Sequence, residues 1–151
     1  MYKRQEPNHA DAGPLAGQRL FQDEELGGLE LMRSLTNAQR ARAILYHASV
    51  DGDLPAGRRH RADQLHLGGA FQDNRVVPYE GVPVQSFTRS QRQGLLDLAL
   101  AYVAPLPCGP RTARIEEIER HLDSTHFCWI GGTGENDTFY YRIQSLSLIH
   151  I

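Results

Sequence analysis

Cysteine is scarce in this chain. Cys108 and Cys128 are the only two among 151 residues, and they form no CxxC pair. Neither a disulfide framework nor a thiolate zinc site is expected from them. Cys128 reads as a small buried strand residue. Long apolar runs are also missing: none approaches the roughly 20 residues of a membrane-spanning helix. The N-terminus, MYKRQEPNHADAG, starts basic but has no apolar stretch behind it, so no signal peptide reads from it as it stands. Excess positive charge is lacking. Sixteen Lys and Arg stand against 18 Asp and Glu, a net charge of -2, whereas a nucleic-acid binder normally carries a basic face. The one basic cluster, Arg58-Arg59-His60-Arg61, has no interleaved aromatics and reads as a solvated loop or helix start. No HExxH, GxSxG or Walker-type sequence occurs. These absences leave an ordinary soluble chain, long enough for one domain with a sizeable core.

Residues 1–20 are polar, with Gly13, Pro14 and Gly17, and read as a flexible arm. Leu26, Leu29, Met32 and Leu35 then recur at three-residue steps, which predicts a helix with Asp23 as its cap. Gly27-Gly28 weakens it. Thr36 and Gln39 fit a capping box, in which each side chain satisfies the other residue's backbone N–H. A second helix is expected to follow through ARAILYHAS and end before Asp51-Gly52. DGDLPAG resembles a calcium loop only briefly, because Pro55 occupies a ligand position and the distal Glu is absent. Residues 74–87 carry prolines among β-branched residues and read as extended, irregular chain.

Thr88 and Gln91 repeat the capping box ahead of the strongest helix signal, with Leu95, Leu98, Ala99, Tyr102 and Val103 on one face. Ser34-Leu35-Thr36 with Gln39-Arg40 therefore echoes Ser86-Phe87-Thr88 with Gln91-Arg92. Two helices started by the same cap explain the echo, and a duplicated unit would need similarity beyond the cap. Pro110 suits the first turn of another helix, with Ile115, Ile118 and Leu122 facing the core. Last come two aromatic-rich runs around GTGEND, which is a hairpin signal. Alternation places His126, Cys128 and Ile130 on one face and Phe127 and Trp129 on the other.

His126 is the best single candidate for chemistry. A strand histidine beside Tyr140, Tyr141, Arg142 and Gln144 can bind a metal or act as acid or base. Arg142 offers a planar fork for a carboxylate or phosphate. Glu80 supplies a carboxylate if the fold brings it near. A plain alternative is a hydrogen-bonded structural histidine among core aromatics. His60, Asp63 and His66 share one side of a helix at steps of three, but nothing nearby completes a site. The Gly131–Gly134 loop is followed by a strand rather than a helix, so it reads as a turn and not a phosphate loop.

His126-Phe127-Cys128-Trp129-Ile130-Gly131-Gly132, with Phe139-Tyr140-Tyr141-Arg142-Ile143-Gln144-Ser145 beyond the loop, resembles the family catalogued as domain of unknown function 3500, found in bacteria and fungi. Asn74-Arg75 with Pro78-Tyr79-Glu80-Gly81, the Gln39-Arg40 helix and the helix ending at Tyr102 add support. The resemblance spans most of residues 20–145. It implies a longer chain: members continue past the position of Ser145 into an apolar strand ending in acidic and histidine residues. It names no reaction.

The final LSLIHI differs from that pattern. It back-translates as CTG TCT CTT ATA CAC ATC, the transposase mosaic-end adapter of sequencing libraries, one version of which continues into a stop codon. Residues 146–151 are therefore expected to be a non-native tail on a natural chain cut after about Ser145. His150 is not counted as a ligand.

The expected fold is α+β. A helical N-terminal part packs on an antiparallel sheet, of which only the first hairpin, about 125–145, is present. Residues 21–145 form a partial single domain, with an unpaired edge and an uncovered face on the hairpin. Two function classes follow. One is a metal-dependent enzyme on a small or carbohydrate-like substrate, with His126, Arg142, Gln144 and Glu80 as its machinery. His126 would be a ligand of a divalent metal completed by residues that are missing. The other is a non-catalytic binding domain using Trp129, Tyr140, Tyr141, Asn74 and Arg75. Neither class involves nucleic acid or membrane.

Overall fold

A computed structural model describes residues 12–19, 21–48, 54, 77–134 and 136–145. Helix α1 is Gln22–Ser34, and Asp23, Glu24 and Glu25 in its first turn oppose the positive end of the helix dipole. Asp23 does not cap it. The capping position is Phe21, at φ 58, with no side-chain hydrogen bond. Gly28, Leu29, Leu31 and Met32 are buried, whereas Leu26 is 45% exposed. The three-residue row holds for Leu29, Met32 and Leu35 and fails at Leu26, because residues nine apart lie about half a turn from each other at 3.6 residues per turn. The glycine pair that weakens the helix serves its packing. A Cβ on Gly28 would come within 2.5 Å of the Tyr141 ring, and one on Gly27 within 3.2 Å of Leu98.

Helix α2 runs from Asn37 to Ala43 with the expected capping box at Thr36 and Gln39. The sequence expectation of helix onward through Ser49 is not met. Ile44–Tyr46 forms strand β1, parallel to Trp129 and Ile130 of a later strand. Ile44 and Tyr46 are β-branched and aromatic, and sheet pairing overrides the helical period there. Strand β2 is the short Val82–Pro83, followed by a 3-10 turn over Val84–Ser86. Helix α3 spans Arg89–Val103 with the second capping box, and it buries Leu95, Leu98, Ala99 and Val103. Tyr102 stays on the rim at 38% exposure. Helix α4 is Cys108–Arg120, with Ile118 buried and Ile115 partly so, and Leu122, also partly buried, opens the 3-10 turn Leu122–Ser124 that follows.

Strands β3, His126–Gly131, and β4, Phe139–Gln144, form the antiparallel hairpin, pairing His126 with Gln144 and Cys128 with Arg142. The fold is α+β, and among the described residues the sheet has four strands and is mixed. β3 lies at its centre: β4 occupies one edge, and β1 and β2 share the other. Among the described residues β4 pairs only with β3, but β3 has no open edge, because earlier chain supplies β1 and β2. Nor is a face left uncovered. Phe127, Trp129 and Ile143 are 0% exposed on one side, and Cys128, Ile130 and Arg142 are at most 1% exposed on the other.

The sequence echo is more than a shared cap. Gln39 Nε2 donates to Ser86 O at 2.7 Å, and Gln91 Nε2 donates to Ser34 O at 2.9 Å. The two amides also bond each other reciprocally, at 3.2 and 3.1 Å. Ser34 and Ser86 each donate to the carbonyl three residues back, and Arg40 and Arg92 each reach the carbonyl seven residues back. Eight-residue segments 52 positions apart therefore meet as a clasp with local two-fold character. It ties the starts of α2 and α3 together. Among the described residues no helix is long and apolar enough to cross a membrane.

Candidate functional site

The hairpin has two unlike faces because side chains alternate along a strand. Phe127, Trp129, Phe139, Tyr141 and Ile143 face the helices. Trp129 stacks on Phe139 at 4.5 Å between ring centres and donates its indole N–H to Gly132 O at 3.0 Å. Trp129 is 0% exposed, so it belongs to the core and offers no contact surface. Tyr141 donates its hydroxyl to Glu24 O at 2.8 Å and shares a 2.7 Å bond with Tyr102. A carbonyl only accepts, so Tyr102 is the donor in the phenol pair. Burial, then the bond to Tyr102, then the Glu24 charge hold the Tyr141 pKa far above its ordinary value. It is a structural neutral phenol at any physiological pH.

The opposite face carries His126, Cys128, Ile130, Tyr140, Arg142 and Gln144 by the same register. Tyr140 stands opposite Ile130, at the far end from His126. The 77–81 segment lies over the His126 end. Its Val77 carbonyl accepts from Gln144 Nε2 at 2.8 Å. Its Pro78 carbonyl and the Glu80 carboxylate accept from Arg142 Nη2, at 3.2 and 2.9 Å. The Tyr79 ring sits 5.3 Å from the His126 ring. Gly81 anchors the segment at φ 90, because a Cβ there would lie 2.2 Å from Phe127 O. The fold does bring Glu80 to the hairpin, and the site candidates His126, Arg142, Gln144 and Glu80 stand together.

Four atoms on this face are buried and unpartnered: His126 Nδ1, Arg142 Nε, Arg142 Nη1 and Gln144 Oε1. Arg142 is 1% exposed and Gln144 6%. Native interiors leave few such groups, and each costs about 1–3 kcal/mol. A fifth buried atom of this kind, Arg40 Nε, stands apart from them on α2. Open clefts of about 430 and 410 Å³ lie elsewhere, between α1 and α3 and beside Tyr102 and Tyr141, and none of the four candidates lines them.

Among the described residues no three His, Cys, Asp or Glu side chains gather closely enough to hold a metal ion. His126, Cys128 and Glu80 all lie on or over this face, but they do not form such a group. Asn74, Arg75, the His60–Asp63–His66 set, the DGDLPAG turn and residues 146–151 lie outside the described residues. Sequence reasoning missed the roles of Tyr79 and Gly81. The signal was present in the PYEG stretch: a glycine between a carboxylate and β-branched chain marks a close backbone approach.

No curated protein and no solved structure matches this chain. The family described as protein of unknown function, DUF3500, is matched over residues 2–150. The hairpin that carries the resemblance is the one that builds the polar face, and the chain belongs to the DUF3500 family.

Proposed function

We propose that the polar face of the β3–β4 hairpin is part of the active site of a metal-dependent enzyme acting on a small substrate. One observation carries this reading: four buried polar atoms with unused hydrogen-bonding capacity lie on one face of one hairpin. Structural polar groups are normally satisfied, and clustered exceptions mark functional sites. His126 supplies the reactive nitrogen. A neutral imidazole ligates divalent metals and transfers protons near neutral pH. Arg142 and Gln144 hold substrate oxygens, and Glu80 fixes the guanidinium through its 2.9 Å ion pair. A metal at His126 draws its other ligands from outside the described residues.

The test is direct. Zinc or manganese is titrated into a full-length homologue, with and without the His126→Ala substitution, and bound metal is counted by elemental analysis. The proposal expects stoichiometric metal in the wild type and loss of it in the variant. Equal metal content in both removes His126 from the ligand set, and no metal in either removes the metal.

A further inference from the structure

The polar face also constrains what it takes, given the active-site reading above. Arg142 is the obvious clamp for an anion, yet its charge is already met. Nη2 pairs with Glu80 Oε2 at 2.9 Å, and the Arg142 side chain is 1% exposed. An anion delivered to the remaining nitrogens would face the Glu80 carboxylate at close range. In a buried setting that surplus negative charge is strongly unfavourable. What the face has left is mixed and uncharged in its demand. Arg142 Nε and Nη1 donate, Gln144 Oε1 accepts, and His126 Nδ1 does either according to its tautomer. Hydroxyl groups answer all three, because each donates once and accepts twice.

Access is the second constraint. The four atoms are sealed from solvent, and among the described residues the 77–81 segment lies against all three side chains that carry them. Three acceptors latch it to Arg142 and Gln144, at Val77, Pro78 and Glu80. Gly81 pins one end against β3 at Phe127 O, while Tyr79 is 48% exposed on the outside. Lifting its Val77–Pro78 end releases the two carbonyl latches, leaves Glu80 on Arg142 and leaves β3 and β4 paired.

We propose that the 77–81 segment is a lid, and that an uncharged, hydroxyl-rich small molecule, a polyol or sugar, binds Arg142, Gln144 and His126 beneath it. The ligand's hydroxyls replace the lid carbonyls and occupy the four unspent atoms. Glu80 stays with Arg142 and excludes anions.

The experiment follows the Arg142 Nε–H and His126 ring signals by NMR in the full chain. Glucose, sorbitol and inositol are the neutral probes, and acetate and inorganic phosphate the anionic ones, at matched ionic strength. Saturable shifts with a neutral probe and none with the anions are expected. Gln144→Leu should weaken that binding by about ten-fold, the worth of one well-made hydrogen bond. Glu80→Gln should admit acetate, because the guanidinium then lacks its counter-charge. Shifts with phosphate or acetate alone in the wild type overturn the hydroxyl ligand and leave the active-site reading standing. Silence with every probe overturns the ligand class, while the metal count on His126→Ala judges the active site separately. The lid has its own readout: Arg142 Nε–H should exchange with solvent faster than Trp129 Nε1–H. Equal rates, set by global unfolding, would remove the lid.

Discussion

Gln91 and Gln144 are buried to the same degree, each 6% exposed, yet they live in opposite circumstances. Gln91 spends its whole amide. Its oxygen accepts from Thr88 N and Gln39 Nε2, and its nitrogen donates to Ser34 O and Gln39 Oε1. Gln144 makes one bond, to Val77 O, and leaves its oxygen with no partner. The same residue type at the same depth is structural in one place and unfinished in the other. A fully satisfied polar network stabilises and specifies a core, whereas a half-satisfied one is tolerated where something else is to bind. The clasp therefore holds the fold together, and the unspent hairpin face supports the proposed ligand site.

The largest way to break this contrast is to remove the clasp. Gln39→Leu with Gln91→Leu should cost about 3–5 kcal/mol, because backbone groups at both helix starts lose their partners. The loss should be smaller than the sum of the single variants, since the two amides bond each other. Guanidinium unfolding of the four proteins closes the cycle, and strict additivity would deny the clasp.

A smaller effect is expected at a polar group between these extremes. Tyr141→Phe removes the bonds to Glu24 and Tyr102 and should cost about 1–2 kcal/mol. It also has a pH signature. Burial, the Tyr102 bond and the Glu24 charge raise the Tyr141 pKa in the folded state above the ordinary value of 10.0. The unfolded chain ionises first, so the stability is fully present below pH 10 and is lost as pH rises beyond it. Wild type should lose more stability than Tyr141→Phe between pH 9 and 11, by urea titration at each pH. Parallel curves would place the burial elsewhere.

The smallest effect belongs to the hairpin face. Replacing both members of a buried ion pair with neutral groups of similar volume is often close to neutral. Glu80→Gln with Arg142→Met should stay within about 1 kcal/mol of the wild type while losing ligand binding. A large loss would make the pair structural.

Much of this was legible in the sequence, for identifiable reasons. Capping boxes are local, so Thr36–Gln39 and Thr88–Gln91 read correctly, and period-two alternation sorted the two hairpin faces. His126, Arg142, Gln144 and Glu80 were named from chemistry, and the fold places them together. Non-local effects did not show. β1 exists because β3 offers it an edge, so Ile44–Tyr46 looked like the end of a helix. Gly27-Gly28 looked like weakness because the Leu98 and Tyr141 side chains against it come from distant segments. The second half of the clasp, the cross-bonding of Gln39 and Gln91, needs two segments 52 residues apart to meet. No periodicity signals that.

The most direct test of the central contrast makes the same substitution at the two glutamines. Gln91→Leu and Gln144→Leu are unfolded in guanidinium beside the wild type. Gln91→Leu should lose about 2–3 kcal/mol, as a fully bonded buried amide does. Gln144→Leu should change by less than about 1 kcal/mol in either direction, because the leucine removes an unpaired buried oxygen along with one bond. Equal losses at the two positions would contradict the account, since Gln144 would then be as structural as Gln91.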